Sequence, residues 1–158
     1  MIQRKQTLYL LASGLLMLAM LFLTFAKITT QDMVYAFKAT GLEDLSGEIV
    51  QPSWVLFGLT AAITLISFIS IFLYRKRILQ MRLTIFNLLI KVGFYLLVFL
   101  VYRPSFIEAI VNTTTQDWWS MSITPWLAFP IVAMIFDYLA YRGIAVDEKT
   151  IRFMDRLR

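Results

Sequence analysis

Lys91 and Asp137 are the residues with the strongest claim on chemistry. Each is the lone charge in a long apolar run, Lys91 within residues 83–102 and Asp137 within residues 121–141. A charge at the centre of a membrane helix costs about 2.5 to 3.5 kcal/mol on insertion scales, so such a group faces a bundle interior, pairs, or snorkels to an interface. Thr84, Asn87, Lys91 and Tyr95 recur at spacings of three, four and four, which puts them on one helical face. Lys91 lies roughly 12 Å past Leu83, and Asp137 roughly 6 Å before Tyr141, by a rise of 1.5 Å per residue. If the two runs are antiparallel, these depths differ by about one turn, and a lysine side chain covers that. The sequence therefore predicts a Lys91 to Asp137 contact supported by Asn87, Tyr95 and Tyr141. Its chemistry is either a proton or ion relay, or a polar pocket for a lipid or substrate headgroup, or no chemistry at all: an ion pair that registers two helices. The acid sits toward one end of its run and not at the midplane, which favours the last.

Four apolar runs must position these groups. They cover residues 7–26, 54–74, 83–102 and 121–141, each about 20 residues and so matched to a hydrocarbon core of ~30 Å. Met1 to Gln6 carries Arg4 and Lys5 ahead of the first run; the positive-then-apolar order also suits a signal peptide, but the length of the run and the three that follow predict an uncleaved span. Thr60, Thr64 and Ser67, with Gly58 and Ala62, give the second run a small-residue face on which another helix can pack closely. Pro125 and Pro130 predict a kinked or loosened start to the fourth.

Between the second and third runs stands a basic turn, Arg75, Lys76, Arg77 and Arg82. With two basic residues before the first run and five in the tail 142–158, one side of the membrane holds eleven Lys and Arg against three on the other. By the positive-inside rule both termini and the turn are cytoplasmic. The two longer segments then face outward. The first, residues 27–53, carries a net charge of −2. In it Val34 to Lys38 and Gly47 to Val50 flank a turn-rich stretch, so it forms either a small hairpin or an irregular loop. An isolated hairpin is marginal in water and needs the membrane, the second outer segment or a partner to hold it. In the second, Arg103-Pro104 ends the third span and Phe106 to Val111 suits a short interfacial helix. In the tail, Asp147 is the expected N-cap of a short helix with an apolar stripe of Ile151, Met154 and Leu157.

Composition excludes more than it selects. Of 158 residues 59% are apolar and only 16% charged, against about half and about a quarter in soluble domains. The net charge of +5 is spent on topology, so no nucleic-acid partner is read from it. With no Cys and no His, thiol redox chemistry, disulfides, Cys/His zinc sites, His-ligated haem and a Ser/His/Asp triad are all excluded. No cofactor and no catalytic residue is indicated.

The fold class read from these features is all-α integral membrane: a four-transmembrane-helix bundle in one domain, residues 1–158, with the outer hairpin and a short cytoplasmic C-terminal helix. Several stretches also look familiar together: Met1-Ile2-Gln3-Arg4 with Thr7-Leu8-Tyr9-Leu10-Leu11, Gly41 and Gly47 leading to Ser53-Trp54, Phe72-Leu73-Tyr74-Arg75-Lys76-Arg77, Gln80-Met81-Arg82-Leu83, Phe86-Asn87, and Asp147-Glu148-Lys149 to Asp155-Arg156-Leu157-Arg158. The chain resembles a family of four-span inner-membrane proteins of Gram-negative bacteria, domain of unknown function 4293. The resemblance implies a bacterial cytoplasmic membrane and a cytoplasmic tail, and transfers no site residues. The function expected first is a non-enzymatic accessory or assembly subunit whose partners are the bilayer and either a membrane protein or further copies of itself. A small transporter or channel component using Lys91 and Asp137 is the alternative, and a lipid-modifying enzyme comes last.

Overall fold

The computed structural model describes residues 3–31, 33–113 and 118–156. Four helices form a ring: α1 (Gln3–Met20), α2 (Trp54–Phe72), α3 (Arg77–Leu96) and α5 (Phe129–Arg156), with α4 (Arg103–Thr113) outside the ring. In the ring α1 packs against α2 and α5, and α3 closes it by packing against the same two. α2 and α3 are antiparallel, as their short connection requires.

Each ring helix buries a stripe at alternating steps of four and three. The stripes are Gln6, Leu10, Ser13, Met17 and Met20 on α1, Leu56, Thr60, Ile63, Ser67 and Ser70 on α2, Gln80, Thr84, Asn87, Lys91 and Phe94 on α3, and Ala133, Asp137, Ala140 and Ile144 on α5. A repeat of 3.5 residues keeps a seam facing its partners with slight left-handed coiling. What sets this bundle apart is which side is polar. On α3 the buried residues are largely polar, while Ile78, Leu79, Ile85, Phe86, Leu89 and Leu96 are exposed. Three stretches, Trp54–Phe72, Arg77–Val111 and Pro125–Thr150, are long and apolar enough to cross a membrane. The apolar part of α1, Lys5–Met20, is shorter.

The expected all-α class needs correction, because five strands form one antiparallel sheet in the order β4-β3-β2-β1-β5. They are β1 (Ala26–Thr30), β2 (Val34–Phe37), β3 (Gly41–Glu43), β4 (Ile49–Pro52) and β5 (Trp119–Ile123). The strands expected to form a hairpin, near residues 34–38 and 47–50, do not touch: β3 lies between them. The tight turn between Lys38 and Gly41 makes room for it, their backbones exchanging hydrogen bonds of 2.9 and 3.3 Å. Gly41 is at φ +152°, and a Cβ there would lie 2.4 Å from the Gln51 carbonyl oxygen, so only glycine lets β4 close on β3. The second outer segment supplies β5, paired with β1 from Ala26↔Ile123 to Thr30↔Trp119, and so holds the first.

Aromatic side chains join the sheet to the helices. Phe37 meets Phe25 at 5.3 Å and Phe106 of α4 at 4.8 Å between ring centres, and Phe25 meets Phe94 of α3 at 5.8 Å, all edge to face. The expected interfacial helix is thus α4, with Phe106 and Ile110 buried beneath the sheet and not turned to lipid. Arg103-Pro104 does not end the third span, because residues 97–102 form a π-helical turn that carries the chain from α3 into α4. Pro104 comes directly after that turn, inside one helical stretch from Arg77 to Val111. Pro125 and Pro130 sit at helix starts, in a 3-10 turn (Pro125–Ala128) and the first turn of α5, so the start of that helix is loosened, as expected. Residues 121–123, expected to be the start of that helix, belong to β5, and the helix of the expected first span, 7–26, likewise stops at Met20, with Ala26 in β1.

The tail is not a separate helix. α5 runs unbroken for 28 residues, about 42 Å by helical rise, well beyond a ~30 Å core. Asp147 is inside it and is no N-cap: its Oδ2 accepts a 2.7 Å hydrogen bond from Gln6 Nε2 of α1. Gly143 permits this approach, since a Cβ there would fall 2.9 Å from Gln6 Cγ. The side chains of Ile151, Met154 and Leu157, the expected apolar stripe, lie outside the described residues.

In the turn between β3 and β4, Asp44 Oδ1 accepts from the Ser46 hydroxyl and from the backbone N–H groups of Ser46 and Glu48, at 2.7 and 3.1 Å for the latter two. Those bonds, the Ser46 hydroxyl first, hold the Asp44 carboxyl below its ordinary value of 3.8. A depressed folded value means that the turn's stabilisation is complete above the unfolded pKa and is lost as pH falls through the folded one. The Ser46 and Glu48 amide resonances should therefore titrate with a midpoint below 3.8, and Asp44→Asn should abolish the transition; a midpoint at or above the ordinary value contradicts the assignment.

Candidate functional site

All four ring helices contribute to one buried cluster. Lys91 of α3 and Asp137 of α5 form an ion pair, Nζ to Oδ2, with both side chains at 0% exposure. Lys91 Nζ also donates to Ser13 Oγ of α1 at 2.7 Å, which reaches across the diagonal of the ring. Asn87 Nδ2, one turn before Lys91, donates to Ser67 Oγ of α2 at 2.8 Å and reaches Asp137 Oδ2 at 3.5 Å. Ser67 in turn donates to the Ile63 carbonyl at 3.1 Å. One charge pair and three neutral groups thus meet at one level of the bundle.

The local sequence explains the meeting. Asn87 and Lys91 share the buried stripe of α3, and Ser13, Ser67 and Asp137 occupy the same kind of stripe on their own helices. Small residues bring the backbones close here: a Cβ on Gly14 would stand 3.3 Å from Ser67 Cβ. Thr60, Thr64 and Thr84 are also buried, but each turns its hydroxyl back to the carbonyl four residues earlier, at 2.8 to 2.9 Å. They line the seam without binding across it.

Of the expected site residues, Lys91, Asp137 and Asn87 come together. Tyr95 does not join them: its hydroxyl donates to the Leu127 carbonyl at 2.6 Å, because Tyr95 is one further turn along α3 and level with the 3-10 turn that precedes α5. Tyr141, half-buried one turn beyond Asp137, is not among the pair's described partners. Ser13 was not legible as a site residue, and its signal was its place in the four-three stripe between Leu10 and Met17. The basic turn is shorter than its charges suggested. The connection is Leu73–Arg75 and Lys76, whereas Arg77 begins α3 and Arg82 lies within it. Lys76 and Arg82 are exposed and Arg77 is half-buried; the Arg75 side chain lies outside the described residues.

The cluster is nearly self-sufficient. Asp137 Oδ1 and Asn87 Oδ1 are buried acceptors that no described donor reaches. Among the described residues no group of three or more acidic, His or Cys side chains could hold a metal ion.

An apolar exterior, a polar centre and three helices long enough to cross a bilayer give the chain the build of a helical membrane protein. The chain belongs to the family Domain of unknown function (DUF4293), which it matches over residues 2–157. No curated protein matches it.

Proposed function

We propose that this chain is a single-domain, four-crossing protein of the bacterial cytoplasmic membrane, with both termini and the Lys76 turn inside and the sheet outside. In this reading it serves as a non-enzymatic accessory or assembly subunit of a membrane complex. The observation that carries the proposal is the closed centre: Lys91 and Asp137 neutralise each other at full burial and take their further bonds from Ser13 and Asn87. Such a cluster fixes the rotation and depth of four helices. α1 completes the fourth crossing with Leu21, Phe22, Leu23 and Phe25 beyond its helical part.

Gentle native extraction followed by identification of bound chains tests this. The expected result is a membrane protein, or further copies of this chain, retained in stoichiometric amount. The second reading, a small transporter or channel component, draws on one specific observation, the unpartnered Asp137 Oδ1 and Asn87 Oδ1. It requires proton or cation flux in proteoliposomes that Asp137→Asn abolishes. Flux of that kind, with no partner retained, would replace the first reading by the second.

A further inference from the structure

The buried cluster leaves three hydrogen-bonding positions open at one level of the bundle. Two are acceptors, Asp137 Oδ1 and Asn87 Oδ1, in side chains at 0% and 2% exposure. The third is a donor: a lysine ammonium has three N–H bonds, and Lys91 Nζ has two described acceptors, Ser13 Oγ and Asp137 Oδ2. Turning the Asn87 amide over does not mend this. Ser67 has given its proton to the Ile63 carbonyl and a carboxylate only accepts, so Nδ2 must face both of them and Oδ1 is left over. The two open oxygens belong to the same amide and carboxylate that approach each other to 3.5 Å. We infer that the centre of the bundle binds one structural water molecule, which accepts from Lys91 Nζ and donates to Asp137 Oδ1 and Asn87 Oδ1.

The inference rests on the closed-centre reading proposed above and names the part that completes the closure. Three arguments select water. The first is the bonding pattern. The guest must accept once and donate twice, and buried waters make about three such bonds. The second is charge. Lys91 and Asp137 already neutralise each other, so a cation would add an uncompensated charge beside an ammonium, and an anion would face two acceptor oxygens. The guest is therefore neutral. The third is size. Both open oxygens are closed off from the surface among packed side chains of the helical ring, which suits the smallest molecule with that bonding pattern. The level agrees with this. Toward the Lys76 turn the buried stripes stay polar through Ser70, Thr84 and Gln80, whereas toward the sheet they become largely apolar with Met17, Ile63 and Phe94. The water stands where the two halves of the core meet.

Crystals of the full chain grown from a lipidic mesophase, at a resolution that shows ordered water, test this directly. The expected result is a single density peak about 2.5–3.2 Å from each of Asp137 Oδ1, Asn87 Oδ1 and Lys91 Nζ. Asn87→Leu takes one acceptor away and fills its space, and should lose the peak. Ser70→Ala, one turn beyond Ser67 on the α2 stripe, should keep it. Where a variant fails to fold, the unaltered chain decides. Featureless density at the centre overturns the inference, and so does an anomalous peak there after a rubidium soak, which would show a cation. A peak that survives Asn87→Leu overturns the bridge. The functional reading is judged separately. A dry centre with a partner retained on native extraction overturns the water and leaves the accessory-subunit reading standing. A bound water together with proton flux that Asp137→Asn abolishes keeps the water and replaces that reading.

Discussion

Asp137→Ala is expected to destabilise the protein by about 3–5 kcal/mol, because it strands the Lys91 ammonium in the bundle without its counter-charge. Lys91→Met should cost a comparable amount for the mirror reason. The double variant, Lys91→Met with Asp137→Leu, should recover most of the loss, since apolar replacement of a whole buried pair is often neutral or stabilising. The neutral partners matter less. Interhelical hydrogen bonds in membranes average about 0.6 kcal/mol, so Ser13→Ala should scarcely be felt beside either single charge removal. Unfolding in mixed micelles, followed by helix content, reads all four variants. A double variant as unstable as the singles would show that the two charges do not compensate each other.

The second large effect is expected at Phe37. It is 1% exposed and touches Phe25 and Phe106 edge to face, so it joins the sheet, the helical ring and α4. Phe37→Ala should cost about 3–5 kcal/mol through lost burial and the cavity left behind. The loss should be local at first. Hydrogen exchange at the Ile28, Tyr35 and Leu42 amides should accelerate while the α2 and α3 seam stays protected. Uniform acceleration through both would mean that sheet and bundle unfold together, and an unchanged sheet would mean that Phe37 does not join them.

The buried pair was legible because lone charges in apolar runs leave few physical options, and the three-four spacing placed Asn87 beside Lys91. The rest of the cluster was harder. Ser13 is one hydroxyl in an apolar helix and is marked only by its stripe, and Ser67 reads equally well as a small packing residue. The sheet was half visible. β2 and β4 have strand-like composition, but β1 begins in the last residue of an apolar run and β5 sits where Met121 and Ile123 extend another. Hydropathy measures how apolar a stretch is and not where its backbone hydrogen bonds go. The three residues of β3 are too few to carry a pattern, and the pairing depends on Gly41, whose need for glycine arises from the approach of Gln51. Pro104 misled for a related reason: the helical stretch from Arg77 to Val111 passes through it, with a π-helical turn just before the proline.

The proposed topology puts the sheet outside the membrane and the Lys76 turn inside, and the absence of cysteine from the sequence makes this directly measurable. Single cysteines at Ser46 and at Lys76, both exposed, are to be labelled with a membrane-impermeant maleimide in intact spheroplasts and again after lysis. Ser46→Cys is expected to label in both, and Lys76→Cys only after lysis. The opposite pattern, or equal labelling of the two positions before lysis, would contradict the account.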